Sequence, residues 1–142
     1  MCIRDRCRTS NPGAAEFQDL TMQVNGKSMP YYQLIAHRAN SWNVRGNVGL
    51  VTGATYPTQL AEIRKICPEL PLLVPGVGAQ SGSLQQAVQT SINSAGRNSI
   101  IASSRSIIYA SHNSNFAEGA RTATMNLREE INAVLENAGF EW

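Results

Sequence analysis

The sequence predicts a parallel α/β fold of four βα units, half of the eight that close a (β/α)8 barrel. Three observations carry this reading. Short apolar runs alternate with stretches of helical periodicity, and single helices between strands imply parallel pairing through right-handed crossovers. Two consecutive predicted strands end in glycine- or hydroxyl-rich loops, Val74-Pro75-Gly76-Val77-Gly78-Ala79-Gln80 and Ser103-Ser104-Arg105. In a barrel, the loops after strands 7 and 8 form a phosphate pocket in this way. Finally, 142 residues suffice for one ordinary domain, whereas a complete barrel takes roughly 250.

The elements follow in order. Met1-Cys2-Ile3-Arg4-Asp5-Arg6 stands where a parallel strand should begin, yet half of it is charged, unlike the near-continuous apolar run of a buried strand. Residues 1–6 therefore read as a non-native segment, a scar of cloning or sequence assembly, with a frayed native terminus as the alternative. Residues 7–142 read as the half-barrel domain, with a remnant strand before Thr9.

Ser28-Met29-Pro30 reads as a helix start, with Ser28 as cap and Pro30 in the first turn. Tyr32, Ile35, Ala36, Ala39 and Trp42 then form the inward stripe. Val48–Val51 is a short buried strand, and a helix from Pro57 turns Leu60, Ile63 and Ile66 inward before Pro68 closes it. Pro71–Val74 is the next strand. Ser83 and Gln86 open a helix in capping-box register, with Leu84, Ala87, Val88, Ser91 and Ile92 on one face and Gly96 as its end. Ser99–Ala102 is the last strand. The long helix after Asn115 carries a stripe of Phe116, Ala120, Ala123, Leu127, Ile131, Val134 and Leu135.

Composition excludes several classes. A net charge of +2 spread along the chain is no nucleic-acid footprint. No apolar run approaches the roughly 20 residues of a membrane span. Cys2, Cys7 and Cys67 are an odd set without metal-ligand spacing and read as reduced thiols in a cytoplasmic protein.

The strand-end loops supply hydroxyls, amides, glycines and one fixed cation, a set suited to a phosphorylated ligand with a polar ring. Arg105 offers a two-pronged clamp for phosphate. Backbone amides near Gly76, Gly78 and Ser104 add donors without bulk, and the Gln80 amide bridges phosphate and ring. Read singly, Gly76 is a tight-turn residue and Arg105 a surface ion pair. Their occurrence on consecutive strands favours phosphate. Proton-transfer groups are missing: Lys27 lies near the Asn25-Gly26 turn and Lys65 on a solvated helix face, while Asp5 and Asp19 are not at credible strand ends. His37 and His112 read as surface residues.

Arg8-Thr9-Ser10-Asn11-Pro12-Gly13, Gly53-Ala54-Thr55-Tyr56-Pro57, Leu73 to Gln80, and Ser103-Ser104-Arg105 with Ile107-Ile108-Tyr109-Ala110 resemble, in order and spacing, the orotidine 5′-phosphate decarboxylase family, most closely its longer bacterial branch. The resemblance implies a (β/α)8 barrel of which this chain supplies units five to eight, and a reaction converting orotidine 5′-phosphate to UMP and CO2 without metal or organic cofactor. It implies that Ser10 contacts the pyrimidine amide edge, that Pro75 and Val77 pack the ring and begin a closing loop, and that Gln80 links this loop to the phosphate. Ser104 and Arg105 correspond to the family's phosphate donors. It also implies a homodimeric full-length enzyme. The family's Asp-x-Lys-x-x-Asp string, whose lysine protonates the product carbanion, does not occur in these residues, so no catalytic residue is assigned and the chain alone is expected to be inactive. Ser81-Gly82-Ser83 stands where the family commonly has Gly-Gly-Asp.

Two other readings remain. One is another phosphate-binding barrel lyase or aldolase, which the Thr-Ser-Asn-Pro loop disfavours because it suits an amide-bearing ring. The other is a non-catalytic half-barrel that binds nucleotides, for which a clean first strand is expected.

Overall fold

The computed structural model describes residues 3–78 and 82–141. Strand β1 (Ile3–Arg8) leads through a 3-10 turn (Pro12–Ala14) and a one-turn helix α1 (Ala15–Gln18) to a hairpin of β2 (Thr21–Val24) and β3 (Lys27–Pro30). Then come α2 (Tyr31–Trp42), β4 (Val48–Thr52), α3 (Pro57–Ile66), β5 (Leu72–Pro75), α4 (Leu84–Ser91), β6 (Ser99–Ala102), a short α5 (Arg105–Ile108) and α6 (Phe116–Asn137).

The main sheet has the order β1-β4-β5-β6, parallel throughout. Chain order equals spatial order, so every crossover steps one strand further in one direction. An open doubly wound sheet reverses direction partway, whereas a barrel does not. The helices follow the same sequence, with α2 against α3, α3 against α4, and α4 against α6.

One sheet face carries the core. Cys7, Val48, Leu50, Leu72 and Val74 are buried there against Ala36, Ala39, Leu60, Ile63 and Ala87 of the helices, with Ile101 packed at the margin. This alternation places Val51, Leu73 and Ile100 on the opposite face, where Ile100 is 56% exposed. That face has no helix layer among the described residues.

Most predicted elements fall where the pattern put them, and Ser83 caps α4 by accepting a 3.3 Å bond from the Gln86 amide. Several details differ. Ile3–Arg6, the part of the opening segment within the described residues, is paired along β4 despite its charge, because parallel pairing uses backbone groups alone. Ser28 caps nothing: it sits in β3, and α2 begins after Pro30. The Asn25-Gly26 turn, with both residues at positive φ, closes a two-residue hairpin that the helix reading overlooked. Trp42 is 53% exposed and Phe116 63% exposed, so neither joins its stripe in the core. In α6 only Leu135 is buried among the predicted stripe, the rest being half-covered or open, since the main cover of that helix comes from α4 and α5. Helix α4 ends at Ser91 and not at Gly96.

Two buried cations hold the framework. The Arg64 guanidinium, 8% exposed, donates to the carbonyls of Ser91 (2.6 Å), Cys67 (2.8 Å), Pro68 (3.1 Å), Leu70 (2.9 Å) and Asn98 (2.8 Å). One side chain thus ties the ends of α3 and α4 to the entries of β5 and β6. Cys67 donates its thiol to the Ala36 carbonyl at 3.2 Å, and burial pushes its pKa up to about 11, so it remains a protonated, poorly nucleophilic thiol. Burial and the Glu62 carboxylate it bonds raise Tyr32 to about 12, linking α2 to α3.

Candidate functional site at the carboxyl ends of the strands

The strand ends are stitched together by backbone bonds. Gly53 N donates to Arg8 O at 2.7 Å and Ala54 N to Pro75 O at 2.8 Å, bringing the loops after β1, β4 and β5 side by side. Gly53 cannot carry a side chain here. A Cβ would lie 2.7 Å from the Ser10 amide nitrogen and 2.8 Å from its Cα. Gly53→Ala is expected to displace the Ser10 loop and cost about 1–3 kcal/mol by overpacking. Thermal denaturation checks this against Gly13→Ala, whose new methyl would meet nothing nearer than 4.0 Å.

The second buried cation, Arg8, lies beneath this loop. Its guanidinium makes a two-pronged pair with Asp19 (Nε to Oδ1 2.7 Å, an Nη to Oδ2 3.0 Å), donates to the Thr9 carbonyl at 2.8 Å, and stacks 3.8 Å from the Tyr56 ring centre. Gln18 accepts from the Thr9 amide at 2.8 Å, and Thr9 Oγ1 bonds Asn11 at 2.5 Å. Thr55 Oγ1 reaches the Ser10 carbonyl at 3.4 Å. Sequence reasoning quoted Arg8 and Tyr56 but missed their joint role with Asp19, because the spacing of the three follows no helix or strand period.

Across β4, a cleft of about 200 Å³ opens between the ends of β5 and β6. Pro75, Gly76 and Val77 form one wall, and Ala102 through Ser106 the other. The chain turns into this wall at Gly76, whose φ of 98° is a conformation open to glycine and strained for other residues. Arg105 opens α5 and is exposed, and its guanidinium has no hydrogen-bonded or ionic partner among the described residues. Amides in the first turn of a helix have no intrahelical acceptor, so the Arg105 and Ser106 N–H groups sit beside the guanidinium at the cleft.

Pro75, Gly76, Val77, Ser104 and Arg105 therefore converge as the sequence implied. Gly78 instead lines the neighbouring hollow under α6, together with Val77, Ser103 and Ser106, and its amide makes a long 3.4 Å bond to Gly82 O. Ser10 lies at the end of β1, separated from the cleft by the β4 loop. Gln80 lies outside the described residues. His37 is exposed on α2, and His112 is exposed and stacked on Tyr109 with ring centres 6.5 Å apart. No helix of the described residues is long and apolar enough to cross a membrane.

Comparison with known proteins agrees with this geometry. Residues 7–120 match the model of the orotidine 5′-phosphate decarboxylase / HUMPS family. The chain is 49% identical over 128 residues to orotidine 5′-phosphate decarboxylase from Thermomicrobium roseum, covering 89% of this chain and 45% of that protein. Among solved structures it resembles Leishmania donovani UMP synthase (TM-score 0.82, 39% identity, 94% of this chain and 28% of that one). It likewise resembles Leishmania donovani OMP decarboxylase (TM-score 0.78, 37% identity, 94% and 48%). The chain spans about half the length of the curated relatives it matches. The four parallel strands in sequential order, the single helix layer and these matches lead to one conclusion: this chain belongs to the orotidine 5′-phosphate decarboxylase / HUMPS family and covers part of that family's (β/α)8 barrel.

Proposed function

We propose that this chain is the nucleotide-gripping half of an orotidine 5′-phosphate decarboxylase, the lyase that releases CO2 from orotidine 5′-phosphate to give UMP. The observation that carries the reading is the shared cleft, where Pro75 to Val77 face Ser104 and Arg105. Arg105 and the adjacent first-turn amides hold the phosphate, and Gly76 lets the backbone approach it. Pro75 and Val77 supply apolar contact for the ring. Ser10, held in place by the Arg8 clamp and the close approach of Gly53, meets the amide edge of the pyrimidine on the far side of the β4 loop. Gly78 and Gln80 are further candidate contacts for the phosphate.

Phosphate binding far from the reacting carbon contributes to catalysis when it drives loop closure and dehydration of that carbon. The proton donor itself is not among these residues, since neither Lys27 nor Lys65 stands in an Asp-x-Lys-x-x-Asp string. No step uses a metal or an organic cofactor. The buried Cys7 and Cys67 thiols suit a reducing cytoplasmic setting, and the full-length enzyme acts as a homodimer.

Calorimetric titration of the purified chain with UMP and with uridine tests the reading. UMP is expected to bind saturably and uridine far more weakly, while orotidine 5′-phosphate releases no CO2. Equal affinity for UMP and uridine would remove the phosphate from the cleft, and turnover by the chain would overturn the absence of its chemical groups.

A further inference from the structure

The Ser10 hydroxyl has no hydrogen-bond partner among the described residues, while the groups around it are taken. The Thr9 amide donates to Gln18 Oε1 at 2.8 Å, and the Thr9 hydroxyl to Asn11 Oδ1 at 2.5 Å. The Thr9 carbonyl accepts from Arg8 at 2.8 Å and the Ser10 carbonyl from Thr55 at 3.4 Å. On the other side Gly53 is so close that a Cβ there would lie 2.8 Å from Ser10 Cβ. The serine is fixed and its hydroxyl is left open.

The stiffness of this cradle comes from Arg8, whose side chain is 0% exposed. Asp19 holds the guanidinium in plane at 2.7 and 3.0 Å, and the Tyr56 ring holds its face at 3.8 Å. A two-pronged carboxylate and a stacked ring together leave the guanidinium one position and one tilt. Arg64 differs, since its carbonyls belong to four segments and it ties elements together. Arg8 spends its one carbonyl bond on the residue before Ser10. Replacing a buried ion pair by apolar residues often costs no stability, and the best-attested use of such pairs is to fix one arrangement.

We propose that Arg8, Asp19 and Tyr56 are positioning residues that set the site's preference for the ligand's pyrimidine by holding the Ser10 hydroxyl in one place. The inference rests on the nucleotide reading above and extends it to side chains that need not touch the ligand. A hydroxyl recognises an amide edge when held within about 0.5 Å of the productive geometry. Asp19 comes from the connection before β2 and Tyr56 from the loop after β4, so the preference is set from two neighbouring loops.

Calorimetric titration of the purified chain with UMP and with ribose 5-phosphate, which has the phosphate and no pyrimidine, tests this. Tyr56→Leu keeps apolar bulk and removes the aromatic face. Asp19→Asn keeps one acceptor and sets an amide donor against a guanidinium donor. Each should weaken UMP about three- to tenfold, the worth of one hydrogen bond, and leave ribose 5-phosphate unchanged. Ser10→Ala should do the same. Ser10→Ala combined with Tyr56→Leu should lose no more UMP affinity than Ser10→Ala alone, because both act through one hydroxyl. Ribose 5-phosphate binding reports in each variant that the cleft is intact.

Additive losses in the double variant overturn the inference, as does a parallel loss of both ligands in Tyr56→Leu and Asp19→Asn. So does a wild-type ratio in those two variants when Ser10→Ala has lost it, and the nucleotide reading then stands. A wild-type ratio in Ser10→Ala removes the serine contact and this inference with it. A wild-type chain that binds neither compound removes the nucleotide reading itself.

Discussion

Arg105→Ala, introduced into a full-length enzyme containing this half, should lower kcat/KM for orotidine 5′-phosphate about 100-fold or more and leave the melting temperature nearly unchanged. Each charge-assisted hydrogen bond is worth about 1.5–3 kcal/mol, and a guanidinium presents two to one phosphate in a fixed fork. Two bonds at the low end reach about 3 kcal/mol, which at roughly 1.4 kcal/mol per decade gives the stated loss. Stability is spared because Arg105 is exposed and its side chain holds no partner among the described residues. Arg105→Lys should recover part of the loss, keeping the charge and forfeiting the fork. The comparison that isolates the phosphate is orotidine without its phosphate, for which wild type and variant should be equally poor. An unchanged kcat/KM for the phosphorylated substrate would remove Arg105 from the phosphate site.

Arg64 is expected to show the opposite pattern, with a large loss of stability and no direct role at the cleft. Its guanidinium serves five carbonyls belonging to four segments. Arg64→Ala strands these acceptors in a buried setting, and an unsatisfied buried polar group costs about 1–3 kcal/mol. Entering water and local relaxation recover part of the sum, so about 3–5 kcal/mol is expected, comparable to breaking a buried ion pair. Domains are stable by roughly 5–15 kcal/mol, and the variant should therefore unfold at markedly lower urea concentration. Arg64→Lys, with three donors on one nitrogen, should fall between. An Arg64→Ala midpoint equal to wild type would show that the carbonyl cluster needs no donor.

The parts of the fold that were legible in the sequence are those where burial is decided by a short-range pattern. Val48 to Thr52 and Leu72 to Pro75 are covered by helices on one face and flanked by strands on both sides, so their apolar runs announce them. Strand β1 is held to β4 by backbone bonds that any side chain permits, so the charges of Arg4, Asp5 and Arg6 conceal it. The helix reading at Ser28 was outweighed by the Asn25-Gly26 turn, whose left-handed pair commits the flanking residues to a hairpin. The α6 stripe had the right period, but period says nothing of how many neighbours arrive to cover it.

Within the candidate site, the convergence of Gly76, Ser104 and Arg105 on one cleft was readable because they end consecutive strands, which parallel crossovers set side by side. Arg64 and Arg8 were not. Arg64 is satisfied by backbone carbonyls, which every residue possesses and no sequence pattern marks, and Arg8 by Asp19 and Tyr56, whose spacing follows no helix or strand period.

The Arg8 arrangement has a practical corollary for anyone reshaping substrate preference by loop transplantation. The segment bearing Ser10 is not an independent cassette: its underside is an arginine wedged between a carboxylate from one connection and an aromatic ring from another. A graft that swaps Thr9 to Gly13 alone would inherit a foreign foundation, whereas one that carries Arg8, Asp19 and Tyr56 as a set would bring its own.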